Sequence, residues 1–291
     1  MFQVLVNGII AGGIYALMSI GFNLIFASVR FHHLAYASLA VFGAYFTKML
    51  KDDLGLNFFV AMFLSAVAFG FIGLLIWLVV YKPIKRKGAS SVALLVASFG
   101  LLLVFQNLIS LIFTPNAKSL VLTSEIKEAF IFLGAKITFN QLVIIGVTVL
   151  VVVIFELILT KTKLGSAIRA VGQNSELAKI VGVPADKILI YTFFIATFIS
   201  VIGASLNGLE VGLRPTLGLV LILKIIIAAI IGGIGSVRGG LYGGILLGIS
   251  ENIGIFVLGA KWQDTVAFTL LVLFLLFKPQ GLFSTFSSRK I

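Results

Sequence analysis

Four ionisable side chains sit inside long, otherwise apolar stretches: Glu156, Glu210, Lys224 and Glu251. At bilayer depth a charge is costly, so such a residue finds a partner, faces water or serves a transport path. Glu156 lies close to the end of its stretch, where it can snorkel or pair with Lys161 or Lys163. Glu210 and Lys224 occupy the outer halves of consecutive stretches joined through Arg214-Pro215. They can pair across that hairpin, or each can reach the outer interface. Glu251, within Gly248-Ile249-Ser250-Glu251-Asn252, is deeper and is expected to face the protein interior or an aqueous cavity. No regular ladder of acids accompanies it, which leaves a proton relay unsupported.

Enzyme chemistry finds little to use. The two histidines, His32 and His33, are adjacent, and neighbours on a helix do not share a face. They cannot form a zinc pair at i, i+4, and no Ser-His-Asp set is suggested, so an interfacial or packing role is expected. With no Cys in the chain, disulfides, thiol nucleophiles and cysteine-bound metals are excluded. The run Gly232-Gly233-Ile234-Gly235-Ser236-Val237-Arg238-Gly239-Gly240 lacks the Gly-Lys-Ser/Thr ending of a phosphate loop, and nothing else in the chain supplies one. A tight turn between two spans is the better reading. Gly239/Gly243, Gly240/Gly244, Gly244/Gly248 and Gly8/Gly12 are spaced for close helix approach. No catalytic residue, metal or bound cofactor is expected.

The elements that must carry these residues are membrane helices. Of 291 residues 60% are apolar and only 11% charged, with 27 Phe. The mean hydropathy is +1.19. A soluble globule could not cover such a core, and disorder requires low hydrophobicity. Runs long enough to span lie near 4–28, 33–50, 57–81, 90–113, 139–160, 189–212 and 217–236, and 239–277 holds two, divided near Gly259-Ala260-Lys261. The reading is an all-α polytopic bundle of about eight or nine transmembrane helices, forming one transmembrane domain over 1–291. The opening residues read as the start of a span and not as a cleaved signal peptide.

Charge sets the sidedness. The net +12 would suggest nucleic acid in a soluble domain, but the basic residues fall between apolar runs. Lys82, Lys85, Arg86 and Lys87 share a side with Lys161, Lys163, Arg169, Lys179 and Lys187, and that side is cytoplasmic by the positive-inside bias. The loop 114–138, with Lys118, Glu125, Lys127, Glu128 and Lys136, then lies outside. On the nine-helix count the N-terminus is outside, and Lys278, Arg289 and Lys290 return inside.

The cytoplasmic segment 161–188 holds two short amphipathic helices. Asn174 or Ser175 can cap the second, with Glu176 favourable in its first turn. Leu177, Ile180 and Val181 then form an apolar stripe, ended by Gly182 and Pro184. Periodicity fits docking into a partner's groove and packing on the membrane surface equally well.

Here a resemblance enters. Gly165-Ser-Ala-Ile-Arg169-Ala-Val-Gly-Gln-Asn174-Ser-Glu176-Leu-Ala178-Lys-Ile-Val-Gly182 resembles the coupling loop of branched-chain amino acid ABC importer permeases of the LivH type. In that loop Glu-Ala-Ala is followed by Gly; here Leu177 replaces the first Ala. Asn7-Gly8 to Gly12, Tyr15-Ala16-Leu17, Gly43-Ala44-Tyr45, Ser98-Phe99-Gly100-Leu101, Gln106-Asn107 and the stretch from Lys224 through Gly232–Ser236 to Glu251 resemble the family in the same order. One stretch departs. Where the family carries an Asn-Phe-Ala-His-Gly-like sequence before Gly-Ala-Tyr, this chain has His33-Leu34-Ala35-Tyr36-Ala37. If that region forms part of the translocation path, its details differ here.

The resemblance implies a permease in a bacterial or archaeal cytoplasmic membrane, importing Leu, Ile, Val or related substrates. Its implied partners are a second homologous permease, two cytoplasmic ATPases that use ATP and Mg²⁺, a periplasmic or surface substrate-binding protein, and lipid. It assigns Gly165, Arg169, Asn174, Glu176, Ala178 and Gly182 to ATPase coupling, with Ala178 and Gly182 allowing close approach. Urea, short amides and other amino acids are alternative cargoes, and an autonomous secondary transporter would need no such loop.

Overall fold

The computed structural model of the chain describes residues 1–122, 130–132 and 134–283. Glu125, Lys127, Glu128, Arg289 and Lys290 lie outside the described residues. Nine helical rods run to and fro among the described residues. They are α1 (Phe2–Val29), α2 (Ala35–Asp53), α3 (Phe58–Ile76), α5 (Ser91–Phe113), α6 (Phe139–Lys161), α9 (Ala185–Val211), α10 (Leu217–Gly232), α11 (Val237–Leu258) and α12 (Gln263–Phe277). α3 runs through a π turn at Trp77–Tyr81 into the short α4 (Lys82–Arg86), so this rod extends beyond its predicted end. Pro83, which lacks a backbone N–H, sits at the junction. Seven rods are long and apolar enough to cross a membrane, while α2 and the shorter α10 complete the bundle. The predicted break after α11 falls at Gly259, whose φ of 96° lets the chain turn into a 3₁₀ turn, Ala260–Trp262. A small hairpin of β1 (Phe130–Phe132) and β2 (Ala135–Ile137) was not legible in the sequence.

The same ends of the rods meet as the charge pattern requires. Asp186 at the start of α9 pairs with Lys82 at 3.2 Å and Arg86 at 3.8 Å. Those contacts join the two basic loops at one end of the bundle. At the opposite end, Lys118 and Leu213 exchange backbone hydrogen bonds of 2.9 and 2.7 Å, and Gln3 bonds the backbone of Lys136 in β2.

Burial separates centre from rim. In α1 and α9, 78% and 72% of the most apolar window is buried, against 6% in the last span, so α1 and α9 form the axis of the bundle. α11 reaches that axis through two glycine faces. Gly240, Gly244 and Gly248 meet α1, where side chains on Gly244 and Gly248 would run into the backbone of Ala16 and Gly12. Gly8 and Gly12 supply the reciprocal clearance, with a Cβ on either placed 2.8 Å from the Cα of Ile249 or Ile245. Gly239 and Gly243 instead meet α10 at Gly232 and Ala228. With lipid as solvent, such close contact and the dispersion it brings hold helices together. Gly244→Val is therefore expected to split α1 from α11 and lower the melting temperature in detergent, at a cost of about 3 kcal/mol or more. Gly146→Val on α6, where no atom lies within 4 Å of the added Cβ, should leave it unchanged.

Candidate functional site

Two arrangements gather the polar chemistry. The first is a charge cluster buried between α1, α10, α11 and the start of α12. Lys224 donates to Glu251 Oε2 at 3.0 Å and to the Tyr15 hydroxyl at 3.2 Å. Tyr15 donates to the same Oε2 at 3.0 Å, and Gln263 Nε2 does so at 2.8 Å. Asp264 lies 3.6 Å from the Lys224 ammonium at the exposed rim of the cluster. Glu251 is 0% exposed, and its Oε1 has no hydrogen-bond partner among the described residues. One carboxylate oxygen thus takes three donors while the other takes none.

This geometry corrects the hairpin pairing considered for Glu210 and Lys224. Glu210 lies exposed at the outer end of α9 and accepts from Gln141 Nε2 at 3.2 Å. Lys224 points into the bundle because Glu251, one helix further on, offers a desolvated acid there. Glu156 likewise pairs with Arg238, at 2.8 and 2.6 Å, and not with Lys161 or Lys163. Each corrected partner is distant in sequence, so local spacing could not reveal it.

Sequence reasoning also passed over Asn23. Its amide clamps the glycine turn between α10 and α11, accepting from Gly235 N at 2.9 Å and donating to Ser236 O at 3.0 Å. The signal was present, since a lone carboxamide in an apolar span needs a partner as a charge does. His33 proves to be a packing residue. It is fully buried, with Nδ1 3.1 Å from Ser98 Oγ and 2.9 Å from the Tyr81 hydroxyl. Tyr36, at the other departing position, donates to Met18 O at 2.9 Å and fills the space that Gly21 leaves.

The second arrangement is the platform formed by residues 161–188 at one end of the bundle. Thr162 caps α7 (Lys163–Gln173), and Gly165 sits where a side chain would strike the last turn of α6. Ile168, Val171 and Gly172 of α7 are buried against the bundle, and Arg30 at the end of α1 donates to Gly172 O at 3.0 Å. Arg169 faces out and, among the described residues, bonds its neighbour Ser166 at 3.2 Å. Asn174 caps α8 (Ser175–Ile180), accepting from the amides of Glu176 and Leu177 at 2.9 and 3.0 Å. Gly182, with φ 85°, ends that turn.

Leu177, Ile180 and Val181 project outward at 59%, 79% and 75% exposure, with Glu176 beside them. Ala178 does not join them. It is buried, and its carbonyl accepts from Val183 N, so its small size serves close packing on the protein's own bundle and offers no surface to a partner.

The fold is that of a multi-pass helical membrane protein with a buried charge cluster and a short amphipathic helix exposed at one end. Residues 4–275 match the family described as branched-chain amino acid transport system / permease component, and the chain belongs to that family. It is 30% identical to the high-affinity branched-chain amino acid transport system permease protein BraD of Pseudomonas aeruginosa, covering 96% of this chain and 94% of the relative. It is 28% identical to the corresponding LivH protein of Escherichia coli K12 over the same shares of each chain. Among solved structures, PsaBC from Streptococcus pneumoniae in complex with Fab matches with a TM-score of 0.55 at 15% identity, over 96% of this chain and 92% of that one. At that identity the likeness concerns the fold alone.

Proposed function

We propose that this chain is one of the two membrane subunits of an ATP-binding-cassette importer for branched-chain amino acids, and that it forms half of the translocation path. Two cytoplasmic ATPases bind ATP and Mg²⁺ and dock on the platform. A second homologous permease completes the path, and a periplasmic or surface binding protein delivers the substrate. The chain's own sequence lacks a phosphate loop, so hydrolysis falls to the ATPases.

The observation that carries this reading is the exposed Leu177/Ile180/Val181 tip on a short capped helix. An apolar tip at helical spacing suits a hydrophobic groove. Arg169, Glu176 and Gly182 flank the contact, while Gly165, Asn174 and Ala178 hold the platform in shape. Because α7 is bonded to the end of α1, a push on α8 reaches the axis of the bundle directly. The family match and the relatives' names support the cargo class.

Purification from the native host in mild detergent, with mass spectrometry of what accompanies the chain, tests the proposal. Two ATPases and a second permease are expected, and the binding protein encoded with them should bind Leu, Ile or Val. Recovery of the chain alone, transporting in liposomes without ATP, would instead identify a secondary transporter. A binding protein specific for urea or short amides would move the cargo class.

A further inference from the structure

At the end of the bundle that carries both basic loops, one corner holds more positive charge than its own acid balances. Lys82, Lys85 and Arg86 on α4 and Lys179 on α8 gather around Asp186 at the start of α9. Lys82 and Arg86 reach its carboxylate at 3.2 and 3.8 Å, and Lys179 acts on it through space. The Lys85 ammonium lies 6.0 Å from the centre of the Trp77 ring, attracted by Asp186 and repelled by Lys179. Four cations thus share one carboxylate. Elsewhere at this end Arg238 meets Glu156 as a one-to-one pair. Cations gathered in this way repel one another unless a further anion joins them.

The corner stands at the foot of an apolar seam. α3 and α9 lie side by side, with Phe71 edge-on to Phe194 at 5.1 Å between ring centres and Phe194 stacked on Phe198. Phe71, Leu75 and Val79 are exposed at successive helical turns and lead along the rod to Lys82 and Arg86. Tyr191, also exposed, continues the face on α9. The rod Phe58–Arg86 is long and apolar enough to cross a membrane and carries these cations at its end. They therefore lie at headgroup depth, and the seam lies among the acyl chains.

We infer that this corner binds the headgroup of an anionic phospholipid, with its phosphate oxygens taken by Lys85, Arg86 and Lys179 and an acyl chain laid along Phe71, Leu75 and Val79. The phosphate supplies the missing negative charge, and a headgroup with two phosphates, as in cardiolipin, offsets the surplus better than one. An acidic soluble protein or a free phosphate would meet the cations and leave the seam unused. The inference needs only a membrane-spanning chain, so it stands apart from the importer reading.

The test is native mass spectrometry of the full-length chain, purified in mild detergent with whatever subunits accompany it. Cardiolipin, phosphatidylglycerol and phosphatidylcholine are titrated in turn, with inorganic phosphate as competitor. Cardiolipin should bind most tightly, phosphatidylglycerol next, and phosphatidylcholine least. Lys85→Gln/Lys179→Gln should weaken cardiolipin binding about thirtyfold, as the loss of two cations near the headgroup predicts. Lys161→Gln/Lys163→Gln, the same charge change on exposed lysines at the same end, should leave binding nearly unchanged. Lys85→Arg/Lys179→Arg keeps both charges and should bind as the parent does, with melting temperatures checking that every variant folds. Equal weakening in the two Gln variants would reduce the effect to general surface attraction and overturn the inference. Displacement of the lipid by inorganic phosphate would overturn it in favour of a soluble ligand. A parent protein that retains no anionic lipid would overturn it too, and protection of Lys179 from chemical acetylation by an accompanying subunit would then assign the corner to a protein.

Discussion

Ile180→Asp should reduce substrate uptake by at least about 30-fold while leaving the chain inserted, folded and thermally unchanged. Ile180 is 79% exposed, so the substitution disturbs no contact within the chain. In an apolar groove of an ATPase, however, an aspartate would be buried without a partner, and losing a central apolar anchor alone costs about 2 kcal/mol or more. Gly182→Trp should have a comparable effect for a different reason. The φ of 85° there is one that a bulky L-residue adopts only with strain, so the end of α8 would reorganise beneath the contact. Uptake into proteoliposomes, ATPase recovery and melting temperature together separate these effects. Normal uptake by both variants in an assembled complex would exclude the platform from coupling.

Lys224→Met should be the most damaging single change in the membrane interior, at about 3–5 kcal/mol. It would leave Glu251 fully buried with only the neutral donors Tyr15 and Gln263. Removing one partner of a buried pair is worse than removing both. The double variant Lys224→Met/Glu251→Gln should therefore recover much of the lost stability and yield. If the double variant also recovers uptake, the cluster joins helices; if it folds but does not transport, the charges themselves serve transport. Equal stability of the single variant and the parent would mean that Lys224 reaches water and that the buried pair is not formed.

The departing stretch shows how local sequence and packing trade information. His33 and Tyr36 stand out only beside the family pattern, and their types suggested altered path chemistry. Packing gives them another role. His33 joins the α1–α2 connection to Tyr81 and Ser98, and the Tyr36 hydroxyl occupies the clearance beside Gly21 between α1 and α9. The Tyr36 hydroxyl and His33 Nδ1 are satisfied within the core, where an unmade hydrogen bond is costly, whereas His33 Nε2 is buried without a partner among the described residues.

What the sequence determined by itself follows from rules that act over a few residues. Apolar runs of span length specified the rods, and Gly259 and the glycines at 232–240 marked the turns. The distribution of Lys and Arg grouped the two basic loops at one end, and Asn174, the apolar triplet and Gly182 delimited α8. Tertiary structure alone decided which rods touch. Lys224 could be assigned to Glu210 or to the interface until α10 and α11 were placed side by side around Glu251. Glu156 found Arg238 far along the chain, and Ala178 turned inward while its neighbours turned out. The reason is physical: insertion free energy is summed along each helix, whereas the partner of a buried charge depends on helix azimuth and contact. In lipid these are set by small-residue clearances such as Gly12 against Gly248, which neither hydropathy nor spacing assigns to a particular partner.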